Sequence, residues 1–378
     1  MRTPVTRVTL TQFRSYASLT WTPAPGISVL TGPNGSGKTN VLEAVSLLVP
    51  GRGLRQARLA DVARTGSSAG WGVAARLGPT TIATGALPGA PADRRVFRLN
   101  GVAPRNQAEV AATLAAVWLT PQMDRLFQDG ASARRRFLDR LVWALEPGHA
   151  REVSAYETAL ASRNRLLAHG AGPADPAWLS ATEAGMARHA VAATAARVTL
   201  IARLNQAGTA GAFPAAHLSL LDPISDRLQT TPALATEDWL REQWAASRAR
   251  DAAAGMTLLG AHRADMALSD AATSLPAAQA STGQQKALLI GVILTHAGLI
   301  ASARGAPPLL LLDEPAVHLD VSRRAALWSA LLVSGAQVML TGTDRDVFAP
   351  LRDTAQGWHT GDGQLRPDPW FAPAPPMG

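Results

Sequence analysis

The chain has 378 residues, a net charge of +8, no cysteine, and 34 arginines against only two lysines, Lys38 and Lys286. A hydrophobic share of 47% with 17% charged residues excludes wholesale disorder. The missing cysteines exclude a disulfide framework, an iron–sulfur cluster, a cysteine-ligated zinc site and a thiol nucleophile. The positive charge permits a polyanionic partner without establishing one, because a compositional bias toward arginine raises it alone.

Residues 5–13 and 27–31 read as strands, and apolar residues at Val41, Leu42, Val45 and Leu48 predict a helix over 40–49. The opening MRTPVTRVTLTQF lacks the apolar core of a secretory signal. Residues 69–100 read as β-rich, with turn signals at Gly78-Pro79, Pro88-Gly89 and Asn100-Gly101. From about 105 to 255 the pattern turns helical. Ser132 is a candidate cap for a helix carrying Phe137, Leu138, Leu141, Val142 and Leu145, stopped at Pro147-Gly148. Further helices are predicted over 150–168 and 177–206, the last spanning about 45 Å. No sustained heptad and no internal repeat is present. After 256 the α/β alternation returns. Four leucines at 309–312 fit a strand buried on both faces, and 337–341 fits the next parallel strand. The ending RPDPWFAPAPPMG holds five prolines and reads as a disordered tail. No uninterrupted run of about 18 apolar residues occurs, so no membrane span and a cytoplasmic location are expected.

Gly32-Pro33-Asn34-Gly35-Ser36-Gly37-Lys38-Thr39 matches G-x-x-x-x-G-K-[ST] between a predicted strand and a predicted helix. Its glycines let backbone N–H groups face phosphate oxygens, and the helix beginning at Asn40 adds its positive end. Lys38 is the candidate for the β- and γ-phosphates and the Thr39 hydroxyl for Mg²⁺. Asp313, ending the leucine strand, is the second candidate Mg²⁺ ligand, and Glu314 is placed to polarise an attacking water. Far more chain separates Lys38 from Asp313 than a compact nucleotide domain needs. This predicts an α/β domain split in sequence as 1–112 and 256–365, a helical domain inserted over 113–255, and a proline-rich tail over 366–378.

Ser281-Thr282-Gly283-Gln284-Gln285-Lys286 precedes an apolar helix and resembles the signature motif of ABC-type ATPases. There the serine and helix N-terminus cap a γ-phosphate held by a second subunit, which makes Ser281, Gly283 and Gln284 candidate nucleotide contacts. Pro315-Ala316-Val317-His318-Leu319-Asp320 looks like the D-loop of the same class and adds Asp320. Met339-Leu340-Thr341-Gly342-Thr343-Asp344 lacks the histidine that transporter ATPases carry there, leaving Thr341 or Thr343 as the γ-phosphate sensor. Gln122 is a candidate for the Mg²⁺-touching glutamine of related ATPases.

Three further strings extend the likeness. They are Leu10-Thr11-Gln12-Phe13-Arg14-Ser15-Tyr16, Thr120-Pro121 followed by Arg134-Arg135-Arg136-Phe137-Leu138-Asp139, and Gly260-Ala261-His262-Arg263-Ala264-Asp265. With these segments in order the chain resembles the RecF family of DNA recombination and repair ATPases, related to SMC-type heads, nearly end to end. Ala261 stands where that family usually has proline. The resemblance implies an ABC-type P-loop ATPase head with an inserted α-helical lever domain, ATP and Mg²⁺ as cofactors, and slow DNA-dependent hydrolysis. It implies an ATP-dependent homodimer, each nucleotide lying between Lys38 of one subunit and Ser281 of the other. It also implies binding at gapped DNA or junctions of single- and double-stranded DNA, with RecR and RecO as partners in loading a recombinase. Arg14 is implied to lie near the nucleotide. Arg52, Arg55 and Arg58 are candidates for DNA, since guanidinium groups pair well with phosphate. Arg134, Arg135 and Arg136 cannot share one helix face, so at least one is structural. Two other readings compete, the ATPase subunit of a transporter and a purely structural SMC-like module. The absent histidine and the large insertion disfavour the first, and the lack of a long coiled coil the second.

Overall fold

The computed structural model describes residues 4–67, 70–89, 95–168, 175–208 and 213–371. In chain order the elements begin with β1 (Val5–Phe13), β2 (Tyr16–Trp21), β3 (Ile27–Thr31), α1 (Lys38–Ser46), β4 (Trp71–Leu77), β5 (Thr80–Ala86), β6 (Val96–Leu99), α2 (Gln107–Thr113) and β7 (Ala116–Leu119). The middle holds α3 (Ala131–Leu145), α4 (His149–Ala168), α5 (Pro176–Ala207), β8 (Ala216–Leu221), α6 (Pro223–Leu228), α7 (Ala233–Ala254) and β9 (Asp265–Asp270). The chain ends with α8 (Thr282–Arg304), β10 (Leu309–Leu312), α9 (Val321–Val333), β11 (Val338–Gly342), β12 (Ala355–Gly361) and β13 (Gln364–Pro367). These form two compact units, one from the described residues of 1–124, 209–214 and 281–378, the other from those of 125–208 and 215–280.

Both borders differ from the expected 113 and 256, for physical reasons. Residues 116–119 form a four-residue apolar strand too short to show a period, yet β7 pairs in parallel with β10 and belongs to the first unit. At the other border β9 pairs with β8 and so stays in the helical unit.

In the first unit a six-stranded sheet runs β13-β12-β3-β11-β10-β7, parallel throughout except at β13. Strands β3, β7, β10 and β11 are buried at every position, as expected of largely apolar parallel strands covered on both faces. The second sheet, β2-β1-β4-β5-β6, is antiparallel. Helix α1 is buried over most of its circumference and contacts strands of both sheets, so its apolar residues need not keep to one stripe. Gln337 links the two layers: its side chain accepts from Val5 N at 2.8 Å and donates to Val5 O at 2.8 Å and to Ala24 O at 2.7 Å.

Helix α8, 23 residues with a mean hydropathy of 1.7 over its most apolar window, is long and apolar enough to cross a membrane by length and composition. Polar residues interrupt its apolar ones, so no unbroken apolar run marks it in the sequence. Of that window, however, 67% is buried inside the protein, the position of a core helix. The expected tail is also partly ordered. Gln364–Pro367 is β13, Phe371 is buried against Gly357, and Arg352 Nε donates to the Trp370 carbonyl at 3.0 Å. Residues 372–378 lie outside the described residues.

The helical unit is fastened by arginine. Arg163 on α4 is fully buried and donates to Glu183 of α5 at 3.0 Å, to Asp251 of α7 at 2.8 Å, and to Thr257 at 2.7 Å. The two resemblance strings of this unit bind each other. Arg134 forks onto Asp265 at 2.7 and 2.8 Å, Arg135 donates to Ala264 O at 3.0 Å, and Arg197 joins Asp139 to Ala261 O. Arg134 and Arg135 thus serve the fold, while Arg136 is exposed and donates to Ser132 Oγ. Ser132 is no cap, because α3 starts one residue earlier behind Gly130. Replacing Arg163 with Met takes the cation from buried Asp251, while Glu183 keeps Arg248, with an expected loss of about 3–5 kcal/mol in denaturant unfolding. Arg241→Ala, which breaks only the exposed pair with Asp238, should cost less than about 1 kcal/mol in the same assay.

Candidate nucleotide site

The loop between β3 and α1 is shaped by backbone that only glycine adopts at low cost. Gly37 has φ 105°, and a Cβ there would lie 2.7 Å from Tyr16 Oη. Tyr16 Oη donates to Gly37 O at 3.3 Å, and burial raises the phenol's pKa so that it stays a neutral donor. Pro33, Asn34 and Gly35 face solvent, and the Ser36 hydroxyl, shielded within the loop, has no partner among the described residues. Together with the free N–H groups of α1, this is a cradle for an anion. Lys38 is buried, and its Nζ donates to Gly32 O at 2.7 Å and Pro33 O at 2.9 Å. Burial lowers its pKa, while the charges of Glu314 and Asp313 oppose that shift.

The acidic strand meets this loop at one atom. Thr39 Oγ1 donates to Asp313 Oδ1 at 2.8 Å, and Thr341 Oγ1 donates to the same oxygen at 2.7 Å. Thr341 Oγ1 also accepts from Glu314 N at 2.9 Å. Thr341, rather than the exposed Thr343, is therefore built into the centre. The hydroxyl and carboxylate oxygens of Thr39 and Asp313 are hard donors of the kind Mg²⁺ takes. Glu314 has φ 48°, an uncommon conformation for a residue with a Cβ. Gln122 is exposed three residues past β7, whose Leu119 carbonyl accepts from Asp313 N at 2.9 Å.

The signature segment is a reciprocal capping box on α8. Ser281 Oγ accepts from Gln284 N at 3.4 Å, and Gln284 Oε1 accepts from Ser281 N at 2.9 Å. The Gln284 side chain thus serves the helix, while Ser281 itself is exposed. A Cβ on Gly283 would stand 2.8 Å from His318 O, so glycine allows the 315–320 segment to lie against the signature turn. Asp320 caps α9, accepting from Arg323 N at 2.8 Å.

Three expected contacts are engaged elsewhere. Arg14 forks onto Glu43 at 3.0 and 2.7 Å, and Arg55 reaches Glu43 at 3.3 Å and Asn40 Oδ1 at 2.9 Å. The amide of Asn40 donates to Ser15 Oγ at 2.9 Å. Glu43 is the reason: its side chain is 1% exposed, and a buried carboxylate needs cations beside it. Arg52 and Arg58 are exposed. Sequence reasoning missed Glu43, although an acid between Leu42 and Ala44 on an apolar helix is the signal for it. Arg95, which donates to Leu47 O at 3.0 Å and Val49 O at 3.2 Å beyond α1, left no signal; burial pushes its pKa down to about 10.

The chain is similar to several known proteins. The family described as "AAA domain, putative AbiEii toxin, Type IV TA system" matches residues 27–341, from β3 to β11. The "DNA replication and repair protein RecF" of Mesorhizobium japonicum is 44% identical over 374 residues, covering 97% of this chain and 98% of that protein. Its namesake from Allorhizobium ampelinum is 45% identical over 372 residues, covering 96% and 99%. The chain belongs to the RecF family. Among solved structures, "Structure of the recombination mediator protein RecF-ATP in RecFOR pathway" superposes with a TM-score of 0.82 at 19% identity, covering 97% of this chain and 100% of that one. An Smc head bound to the C-winged helix domain of ScpA gives 0.51 at 17% identity, covering 97% of each. The fold is thus the ABC-type ATPase head shared by RecF and SMC proteins, and the transporter reading is not favoured.

Within this RecF-family site, Thr341→Val removes a donor to Asp313 and the acceptor for Glu314 N. An expected loss of about 1–3 kcal/mol should appear in chemical denaturation.

Proposed function

We propose that this RecF-family ATPase is a cytoplasmic, ATP-dependent DNA-binding protein of recombinational repair and replication restart. ATP closes two copies into a homodimer at gapped DNA or a single- to double-strand junction, helping to load a recombinase with RecR and RecO as partners. The observation that carries the ATPase part is the convergence of Thr39 and Thr341 on one oxygen of Asp313, with Thr341 also accepting from the main chain of Glu314. The DNA part is supported by the relatives' names.

In this reading the loop N–H groups and Lys38 hold the β- and γ-phosphates, and Thr39 and Asp313 hold Mg²⁺. When bound, the metal neutralises phosphate charge. Glu314 takes a proton from a water as its oxygen attacks the γ-phosphorus; the bond to the ADP oxygen breaks and ADP leaves. Ser281 of a second copy, standing at the exposed N-terminus of α8, caps the γ-phosphate. Hydrolysis is slow and DNA-dependent, and it sets the lifetime of the dimer. The unit built from 125–208 and 215–280 acts as the inserted lever, and the exposed Arg52 and Arg58 are the candidates for DNA phosphates.

Glu314→Gln should accumulate as an ATP-bound dimer in light scattering, while Lys38→Ala and Ser281→Arg should remain monomeric. A Glu314→Gln protein that stays monomeric with ATP and DNA would refute the sandwich. Titration onto gapped, blunt and single-stranded DNA should show tightest binding to the gap, only with ATP. Its salt slope should be about −0.9 per phosphate neutralised. Equal binding to all three without ATP would end the DNA reading.

A further inference from the structure

Among 36 basic side chains this chain uses lysine twice, once in the phosphate loop and once at Lys286 on α8. The Lys286 side chain is 1% exposed, and its Nζ stands 3.2 Å from Asp124 Oδ2 and 3.2 Å from the carbonyl oxygen of Glu314. Asp124 lies in the turn after β7, and its second oxygen has no partner among the described residues. Taking an ammonium and a carboxylate out of water is costly, and a packed apolar pair there would often be as stable. The pair's second contact suggests why charge is kept. Glu314 is held at both main-chain polar atoms by side chains, its N–H by Thr341 at the end of β11 and its C=O by Lys286 of the signature helix. Its φ of 48° is a conformation that persists in a residue with a Cβ only where the surroundings enforce it.

We propose that Lys286 is a positioning residue for ATP hydrolysis: paired with Asp124, it fixes the Glu314 main chain so that the carboxylate is aimed at the attacking water. This rests on the reading of Glu314 as the base. The ammonium is required as such. It is a compact donor that meets two acceptors from one buried point, whereas a planar guanidinium spreads its donors over a wider fork.

Three variants of the full chain test this: Lys286→Met, Lys286→Arg, and the double variant Asp124→Asn/Lys286→Met. The double variant leaves no uncompensated buried charge, so its denaturant midpoint should return toward that of the parent. Fluorescent ATP-analogue affinity should stay within about twofold of the parent, while kcat falls about tenfold or more in all three, the stable double variant included. A stable double variant with the parent's kcat would show the pair to be structural only and overturn the proposal, and a parent-like kcat in Lys286→Arg would overturn the need for an ammonium. A parent protein without ATP hydrolysis would instead defeat the underlying reading of the site, and that is seen before any variant is made.

Discussion

Asp313 Oδ1 receives two hydroxyls from parts of the chain that are far apart in sequence, Thr39 at the start of α1 and Thr341 at the end of β11. The carboxylate is almost wholly buried, so those bonds replace water it has lost. They form only if β3, β11 and β10 stand in the observed register, with Val29 beside Leu340 and Leu340 beside Leu312. A slip of one residue would turn every side chain of a strand to the opposite face. The glycine-rich loop, the acidic strand end and the end of β11 therefore assemble together or not at all, and the apolar packing of the sheet sets the geometry of its polar edge.

What the sequence made legible were features whose residues dictate their own backbone. The glycine-rich loop, four leucines in a doubly buried strand, and the apolar helix behind Ser281 each specify a local conformation, and each stands where it was expected. What escaped depends on distant partners. Strand β7 is four apolar residues with no period, and only its neighbour β10 makes it a strand. Strands β8 and β9 pair across two intervening helices, so neither announces the other. Arg14 and Arg55 show a subtler limit. An arginine near a phosphate loop suggests a phosphate, but a buried carboxylate satisfies the same fork, and Glu43 was hidden inside an apolar helix.

The arginine surplus has a structural use as well as a compositional origin. In the helical unit Arg163 ties together three helices, Arg197 joins Asp139 to the 261 carbonyl, and Arg134 closes on Asp265. A planar, multiply donating group suits such bridging. Each such pair takes one positive and one negative charge together, so the net charge of +8 is unchanged while these arginines are no longer free to meet a polyanion.

The order of strands also bears on how the chain is made. Ile27 of β3 pairs on one side with Val338 and on the other with Ala355. During synthesis from the N-terminus, the strand that leads into the glycine-rich loop has neither neighbour until residues from 338 onward have left the ribosome. The residues of the helical unit all precede 281 and so emerge before that moment. Pairing across such separations is slow, because loop closure must precede the contacts that reward it. A chain broken off before residue 338 would therefore carry the glycine-rich loop without either of the strands that flank β3 in the sheet.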